Sequence, residues 1–205
     1  MNPDEIRTQI INETRRQAVG MTKEQMQAIA SLRVIEAVYE EDAENGGFAT
    51  VVDMGTDTPL RLENCRAEYV LEILAGLEGR ALRVLKHNRC QATGCPYKHM
   101  DYLNISPSRL FMAVPYREPV NTNHSRNAYL NNSRVVAAES GERGKSRVRF
   151  LSGKSLPVKL TPKRLQQKID GGRRLLYDSI LAAKTELKSL DMTLRRLQRK
   201  GREGR

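Results

Sequence analysis

The carboxyl-terminal part of the chain repeats an apolar residue at alternating spacings of four and three. The repeating residues are Leu176, Ile180, Ala183, Leu187, Leu190, Leu194 and Leu197. This is the a/d pattern of three heptads, with which a helix packs along one partner helix. Packing on its own domain and a two-stranded coil between subunits both stay open, although a narrow seam suits a single partner helix better than a broad core. We expect a last helix that begins with Thr161 as its cap and Pro162 at its first position and that breaks or bends at Gly171-Gly172. Beyond that point we expect a basic helix over residues 171–205 and a homodimer or higher oligomer formed through it.

Positive charge is concentrated in the last third of the chain. Residues 141–205 hold 19 basic and 6 acidic residues, a net charge of +13, whereas residues 1–140 hold 16 basic and 18 acidic residues, a net charge of −2. A one-sided field favours a polyanion partner, because lysines and arginines that neutralise phosphates release condensed counterions. A solvated basic tail is the other interpretation, but it needs no such asymmetry. We therefore expect a nucleic-acid partner.

The composition excludes some classes of protein. Of the 205 residues, 39% are hydrophobic and none is tryptophan, which allows a modest core. No apolar run approaches the ~20 residues of a membrane span. The acidic, polar start Met1–Glu5 does not fit a secretion signal, and three cysteines cannot all pair within one chain. These features predict a protein of the reducing cytoplasm that makes no membrane contact, with its cysteines as thiols or metal ligands.

The amino-terminal part predicts helices followed by an acidic loop. Asn2, Pro3 and an apolar stripe predict a helix over residues 2–19, which ends at Gly20. Thr22-Lys23-Glu24-Gln25 fits a capping box and predicts a second helix through Leu32. The acidic run Glu40–Gly47 ends in Gly-Gly and predicts a loop with solvated carboxylates.

The middle of the chain predicts mainly β-structure. Two short apolar runs on either side of a Gly-Thr-Asp-Thr turn predict a hairpin, and residues 65–86 follow as an amphipathic helix. The remaining predicted segments are a Cys/His-rich loop over 87–99, strands over 109–114, 133–138, 148–151 and 156–160, and a polar loop over 116–132. The fold class we expect is α+β with a mainly antiparallel sheet. Three parts are predicted: a helical segment over 1–45, a nucleic-acid-binding α+β domain over 46–170, and the basic helix.

Two histidines and two cysteines lie within thirteen residues, as His87, Cys90, Cys95 and His99. Zinc prefers four nitrogen and sulfur ligands in a tetrahedron, and short spacers around the turn Gly94-Cys95-Pro96 fit that requirement. The spacing from Cys90 to His99 is similar to the latter half of a CCCH zinc finger. Cys65 or His124 could supply an outer ligand instead. The alternative is that His87 caps a helix and that the cysteines are small buried hydrophobes.

A basic hairpin and an asparagine-rich loop form the second candidate site. Arg147 and Arg149 alternate with Val148 and Phe150, so the two arginines share one strand face, which has almost no acid around it in the sequence. Arginines suit phosphates, and asparagines suit base edges. Phosphate contacts are predicted for Arg126, Arg134, Arg147, Arg149, Lys154 and Lys159. Base contacts are predicted for Asn123, Asn127 and Asn131.

Several motifs resemble those of DNA-binding families. A hairpin leads into a cysteine-containing helix that ends in Leu77-Glu78-Gly79-Arg80, and Phe150–Leu160 is like an F-x-N-G-x-x-L-x-L strand pair followed by a helix. From about residue 46 to 180 the chain thus resembles the competence transcription factor (ComK) family, although Leu110–Pro115 stands where that family has a tryptophan-containing segment. Together with Asn127–Asn131, the strand pair is also similar to the end of a LytTR DNA-binding domain. The ComK resemblance implies sequence-selective DNA binding, transcription activation and oligomeric binding across A·T-rich minor grooves.

Enzyme motifs are missing from the sequence. There is no nucleophile elbow and no HExxH, and the Gly-Lys-Ser at 144–146 lacks the first glycine of a P-loop. We therefore expect no catalytic activity. Together, the charge distribution and the family resemblances predict a DNA-binding transcription regulator, with DNA favoured over RNA as the partner. The alternatives are a zinc-containing RNA-binding protein and a non-enzymatic inhibitor whose basic coil meets an acidic protein.

Overall fold

The computed structural model describes residues 21–43, 47–93, 101–118, 125–141 and 145–203. Within these ranges the helices are α1 (Lys23–Ser31), α2 (Ala67–Leu77), α3 (Leu82–Thr93) and α4 (Pro162–Glu203). The strands are β1 (Ala37–Asp42), β2 (Phe48–Asp53), β3 (Leu60–Glu63), β4 (Tyr102–Ser106), β5 (Arg109–Pro115), β6 (Asn127–Asn131), β7 (Val135–Ser140), β8 (Ser146–Phe150) and β9 (Ser155–Val158). A 3-10 turn over Asn132–Arg134 joins β6 to β7. The helix predicted over residues 2–19 lies outside the described ranges.

The strands form two antiparallel sheets. Six of them make one sheet in the order β3-β2-β1-β6-β5-β4, and three make a second sheet in the order β7-β8-β9. The central strand β1 pairs with β2, where Val38 lies opposite Val52, and with β6, where Ala37 lies opposite Leu130. The predicted hairpin is confirmed as β2–β3. The predicted α+β class with a mainly antiparallel sheet and a long carboxyl-terminal helix is also confirmed.

The six-stranded sheet is covered on both faces. Successive residues of a strand point to opposite faces, so Phe111 packs on the side of α1 and α2, whereas Met112 packs on the side of the three-stranded sheet. Met26 and Ile29 of α1 are fully buried in the first core, and Leu165 and Ile169 of α4 are fully buried in the second. Burial of apolar surface on both sides of the sheet holds the layers together. Among the described helices, none combines the length and apolarity that crossing a membrane requires.

The capping box at the start of α1 is confirmed. The Thr22 side chain accepts a hydrogen bond from Gln25 N, and the Gln25 side chain accepts one from Thr22 N. Two predictions farther along were wrong. The single helix predicted over 65–86 is divided into α2 and α3, because Gly79 has a φ of 68°, which ends α2. The loop predicted over 87–99 is wrong in its first half, because α3 continues to Thr93.

Three strands were missed. β4 was not predicted, β1 lies in a segment predicted to be helix and loop, and β6 lies in the predicted polar loop over 116–132. In β6, Tyr129 packs toward the helices, and Ala128 and Leu130 pack toward the second sheet. A strand buried on both faces shows no alternation of polar and apolar residues, so its pattern is hard to recognise in a sequence.

The long helix α4 runs without interruption through Gly171 and Gly172, so the predicted break there was wrong. The two glycines allow close contacts with the body of the protein. A Cβ atom on Gly171 would lie 2.6 Å from the Tyr102 hydroxyl, and one on Gly172 would lie 2.5 Å from Asn132 Nδ2. Asn132 itself donates a hydrogen bond to the carbonyl of Ile169 in α4. Glycine at these positions lets the helix dock on the 3-10 turn and on β4.

Replacing Gly172 by alanine is expected to lower the free energy of unfolding by about 2 kcal/mol, because the new methyl group overlaps the buried Asn132 side chain. In an open helix the same change would instead raise stability by roughly 1 kcal/mol. Denaturant titration measures the change. The double variant Asn132→Ala/Gly172→Ala should lose less free energy of unfolding than the sum of the two single variants, because the shortened side chain at position 132 no longer overlaps the new methyl group. If Gly172→Ala alone has a higher free energy of unfolding than the parent chain, this explanation is wrong.

Candidate nucleic-acid interface

Strand β8 places Arg147 and Arg149 on the outer face of the three-stranded sheet. Its residues alternate strictly between buried and exposed, with Val148 and Phe150 in the core and the two arginines in solvent. The predicted sharing of one strand face is therefore confirmed. Because the apolar side chains anchor the strand, the Cα positions of the two arginines are held by the sheet and not by a loop.

The sequence suggests that the outer face is almost free of acid, but the structure places an acidic side chain on it. Glu139 of the neighbouring strand β7 forms an ion pair with Arg149, with 2.6 Å between Glu139 Oε1 and Arg149 Nε. Among the described residues, Arg147 forms no ion pair. Glu139 also lies directly opposite Arg147 in the register of β7 and β8. A phosphate can therefore bind Arg147 without breaking an ion pair, whereas it has to compete with Glu139 for Arg149.

The first turn of α4 lies beside the start of β8. The Ser146 hydroxyl donates a hydrogen bond of 2.8 Å to the carbonyl of Leu160, just before α4 begins. The first turn of α4 carries no acidic residue, and the exposed Lys163 and Arg164 lie in it. Helix amino termini favour anions, because the macrodipole and unpaired backbone N–H groups point toward them.

We call the exposed cations on β8 and in the first turn of α4 the basic face. It consists of Lys145, Arg147, Arg149, Lys163 and Arg164. No described contact joins the two groups directly, since Ser146, which bonds to Leu160, is buried and alternates with the outward-facing Arg147. Sequence reasoning did not include Lys163 and Arg164, because it considered only the hairpin and the loop before it. The cue was present as a Thr-Pro helix start followed by two cations without an acid.

Lys154 and Lys159, also predicted to contact phosphates, are engaged within the protein. Lys154 Nζ donates a hydrogen bond to the carbonyl of Thr56 and lies 4.0 Å from Asp53 Oδ1. Lys159 Nζ lies 3.2 Å from Glu118 Oε1. Both lysines are partly exposed, and each has a carboxylate that a phosphate would have to displace.

Arg134 belongs to a buried ionic contact. Its Nη2 atom lies 3.3 Å from Glu36 Oε1, and the Glu36 side chain is fully buried. Glu36 also accepts hydrogen bonds from the backbone N–H of Ser152, at 3.1 Å, and from the Ser152 hydroxyl, at 2.6 Å. Glu36 therefore ties the β8–β9 turn to the six-stranded sheet, and Arg134 helps to compensate its charge.

The asparagines predicted to read bases have different surroundings. Asn131 is buried, and its Nδ2 donates a hydrogen bond of 2.9 Å to the carbonyl of Ile35 while its Oδ1 accepts from Ser133. Asn127 is half-buried at the start of β6, and Arg126 beside it is exposed. Asn123 lies outside the described residues. Of these four residues, Asn131 has a structural role.

Glu40, predicted to be solvated, is buried and caps α2 from outside the helix. Its Oε1 accepts a hydrogen bond of 3.0 Å from Ala67 N, the first residue of α2, whose N-cap residue Arg66 makes no side-chain capping bond. Its Oε2 accepts a hydrogen bond of 2.7 Å from Ser125 N. The prediction was wrong because the sequence shows a run of like charge and not the distant N–H groups that neutralise it. Glu40 also fixes the chain just before Arg126 and Asn127.

The predicted zinc ligands are only partly within the described residues. His87 is exposed on α3, and Cys90 lies one helical turn later in the same helix. Cys95, His99 and the alternative ligand His124 lie outside the described ranges. The described residues contain no group of three or more potential metal ligands. Zinc at this site stays a prediction.

Cys65, the other alternative ligand, is buried in the core between β3 and α2. Burial, with a smaller effect from the Glu40 carboxylate, raises the pKa of the Cys65 thiol to about 12. Because the thiolate is the form that binds metal and reacts with electrophiles, the folded chain keeps Cys65 inert.

We expect Cys65 to resist alkylation by iodoacetamide at about pH 8 in the folded chain and to react once the chain is unfolded. Because the folded pKa is raised above the unfolded value of about 8.5, the stability that Cys65 contributes is complete below that pH and is lost as the pH rises toward 12. Peptide mass mapping of the alkylated chain measures the first effect. Rapid modification of Cys65 under native conditions would contradict its assignment to the core.

Comparison of the chain with models of known protein families, with curated proteins and with solved structures finds no match in any of the three. The resemblance to the ComK and LytTR families stays a prediction.

Proposed function

We propose that the chain is a sequence-selective DNA-binding transcription regulator that contacts the phosphate backbone with its basic face. The observation that carries the proposal is Arg147, which is exposed on β8 and forms no ion pair within the described part of the chain. The first turn of α4, which holds no acidic residue, adds two exposed cations. Phosphate oxygens accept hydrogen bonds from arginine and lysine, and helix amino termini attract them further.

The cations differ in whether they already form an ion pair within the protein, and this difference indicates which of them can bind phosphate. Lys145, Arg147, Lys163 and Arg164 have no ion pair among the described residues, so binding a phosphate does not require them to break one. Arg149 has to be shared with Glu139, and Arg134 is needed to compensate the buried Glu36. The proposed phosphate contacts are therefore centred on Arg147 and the start of α4.

A base contact is proposed for Asn127 at the start of β6, and a phosphate contact for Arg126 beside it. Arg126 is exposed and Asn127 is half-buried, and the hydrogen bond from Ser125 N to Glu40 holds the chain beside them. Asn123, which precedes them in the sequence, stays in the proposal on the basis of the sequence alone. Asn131 is left out, because its side chain is used inside the protein. The proposal includes a cytoplasmic location, which the odd number of cysteines and the free thiol of Cys65 favour.

A selection from random duplex oligonucleotides at two salt concentrations tests this proposal, with single-stranded RNA as competitor and zinc measured in the same preparation. We expect enrichment of a duplex motif that survives the higher salt and resists the RNA. Preferential retention of RNA together with bound zinc would support the RNA-binding alternative. Salt-independent failure to bind either nucleic acid would overturn both and favour an interaction protein.

A further inference from the structure

The apolar seam of α4 has no cover in the described structure. The helix packs on the body of the protein as far as about Ser179, and the residues that continue the seam are exposed, with Leu187 at 67% and Leu190 at 55%. The surface between these residues carries lysines, arginines and acids. A projecting helix with a heptad seam of large apolar side chains is typical of a helix that pairs with another helix.

The charges beside the seam distinguish the two ways in which two copies could pair. With Leu187 at heptad position a and Leu190 at position d, Glu186 takes position g, and Lys184 and Asp191 take position e. In a parallel, in-register pair, each g residue faces the e residue five positions later in the other helix. Glu186 would then face the partner's Asp191 twice, and both contacts would be repulsive.

An antiparallel pair turns these contacts into attractive ones. When Leu187 lies in the same layer as the partner's Leu190, the e positions face each other. Lys184 then lies beside the partner's Asp191, an exposed carboxylate that Arg195 of its own helix contacts at 2.9 Å. Because the two helices are related by twofold symmetry, the contact between Lys184 and Asp191 forms twice. The same register places Ala183 opposite the partner's Leu194, so the central layers stay apolar. It also separates the two basic ends of α4, which a parallel pair would bring together.

We propose that α4 pairs with α4 of a second copy of this chain in an antiparallel coiled coil centred between Lys188 and Ser189. At a rise of 1.5 Å per residue, the Ile180 positions at which the two helices leave their bodies lie roughly 25 Å apart along the axis. The two basic faces are then held at opposite ends of a helical rod. The inference depends on α4 alone and not on the proposed DNA binding.

Sedimentation equilibrium of the full chain without nucleic acid, at low ionic strength, tests the orientation. Lys184→Glu should weaken dimerisation roughly tenfold, because it turns two attractive contacts into repulsive ones. Lys184→Glu/Asp191→Lys should restore most of the affinity. Glu186→Lys is the control and should change the affinity less than twofold, since Glu186 faces the partner's Thr193.

The other outcomes overturn the inference. If Glu186→Lys dimerises more tightly than the parent chain and Lys184→Glu dimerises with the parent's affinity, the helices pair in parallel. A monomeric parent chain, or a dimer that ignores all three variants, would show that the seam is not covered by a second copy in this register. Lys184 and Glu186 are exposed, and both exchanges keep good helix formers, so the fold of the body is not at risk.

Discussion

Replacing Glu40 by alanine is expected to lower the free energy of unfolding by about 3 kcal/mol. The side chain is 3% exposed, and its two oxygens accept the backbone N–H groups of Ala67 and Ser125. Alanine leaves both N–H groups without a partner and removes the only side-chain cap that the described residues give the start of α2. It also removes the negative charge 4.0 Å from Arg117.

Denaturant titration of three variants tests this role. Glu41→Ala is the matched control, because Glu41 is the next residue, is 38% exposed and pairs with Arg61 on the surface. It should cost under about 0.5 kcal/mol. Glu40→Gln keeps an acceptor for one N–H group and should fall between the two. Equal costs for Glu40→Ala and Glu41→Ala would contradict the capping role of Glu40.

Removing three basic-face cations that form no ion pair with any described residue is expected to lower duplex affinity about a hundredfold at roughly 0.1 M salt. The variant carries Arg147→Ala, Lys163→Ala and Arg164→Ala. Each lost phosphate contact should also reduce the slope of log K against log salt by about one. Fluorescence anisotropy with a labelled duplex measures affinity and slope in one titration.

Glu139 and Arg149 provide the control within the same sheet. Because Glu139 shares the charge of Arg149, Arg149→Ala should cost less affinity than Arg147→Ala. Glu139→Gln should increase affinity, because it frees Arg149 and removes an acid that repels phosphate. If Glu139→Gln binds more weakly than the parent chain, the ligand does not approach this face.

The parts of the fold that sequence could predict depend on neighbours along the chain. The capping box of Thr22 and Gln25 spans one helical turn, and the alternation of Arg147 and Arg149 with buried residues spans one strand. The hairpin β2–β3 is likewise local. Such patterns carry their own periodicity, so the sequence alone reveals them.

The parts that could not be predicted depend on residues distant in sequence. Glu40 meets Ala67 and Ser125 only after β1 has paired in the centre of the sheet. Gly172 looks like a helix breaker until Asn132 is packed against it. In the candidate site, the alternation of residues in β8 predicts the exposed arginines from sequence alone. The start of α4 is brought to β8 by the hydrogen bond from Ser146 to Leu160, which forms only in the folded chain, so the sequence did not indicate Lys163 and Arg164.

The salt dependence of duplex binding by the unaltered chain shows whether the basic face contacts phosphates. We expect log K to fall linearly with log salt with a slope of about −3 or steeper, because at least three of the four basic-face cations that have no ion pair among the described residues displace counterions. Failure to bind duplex DNA at low ionic strength, or an affinity that does not change with salt, would contradict the account.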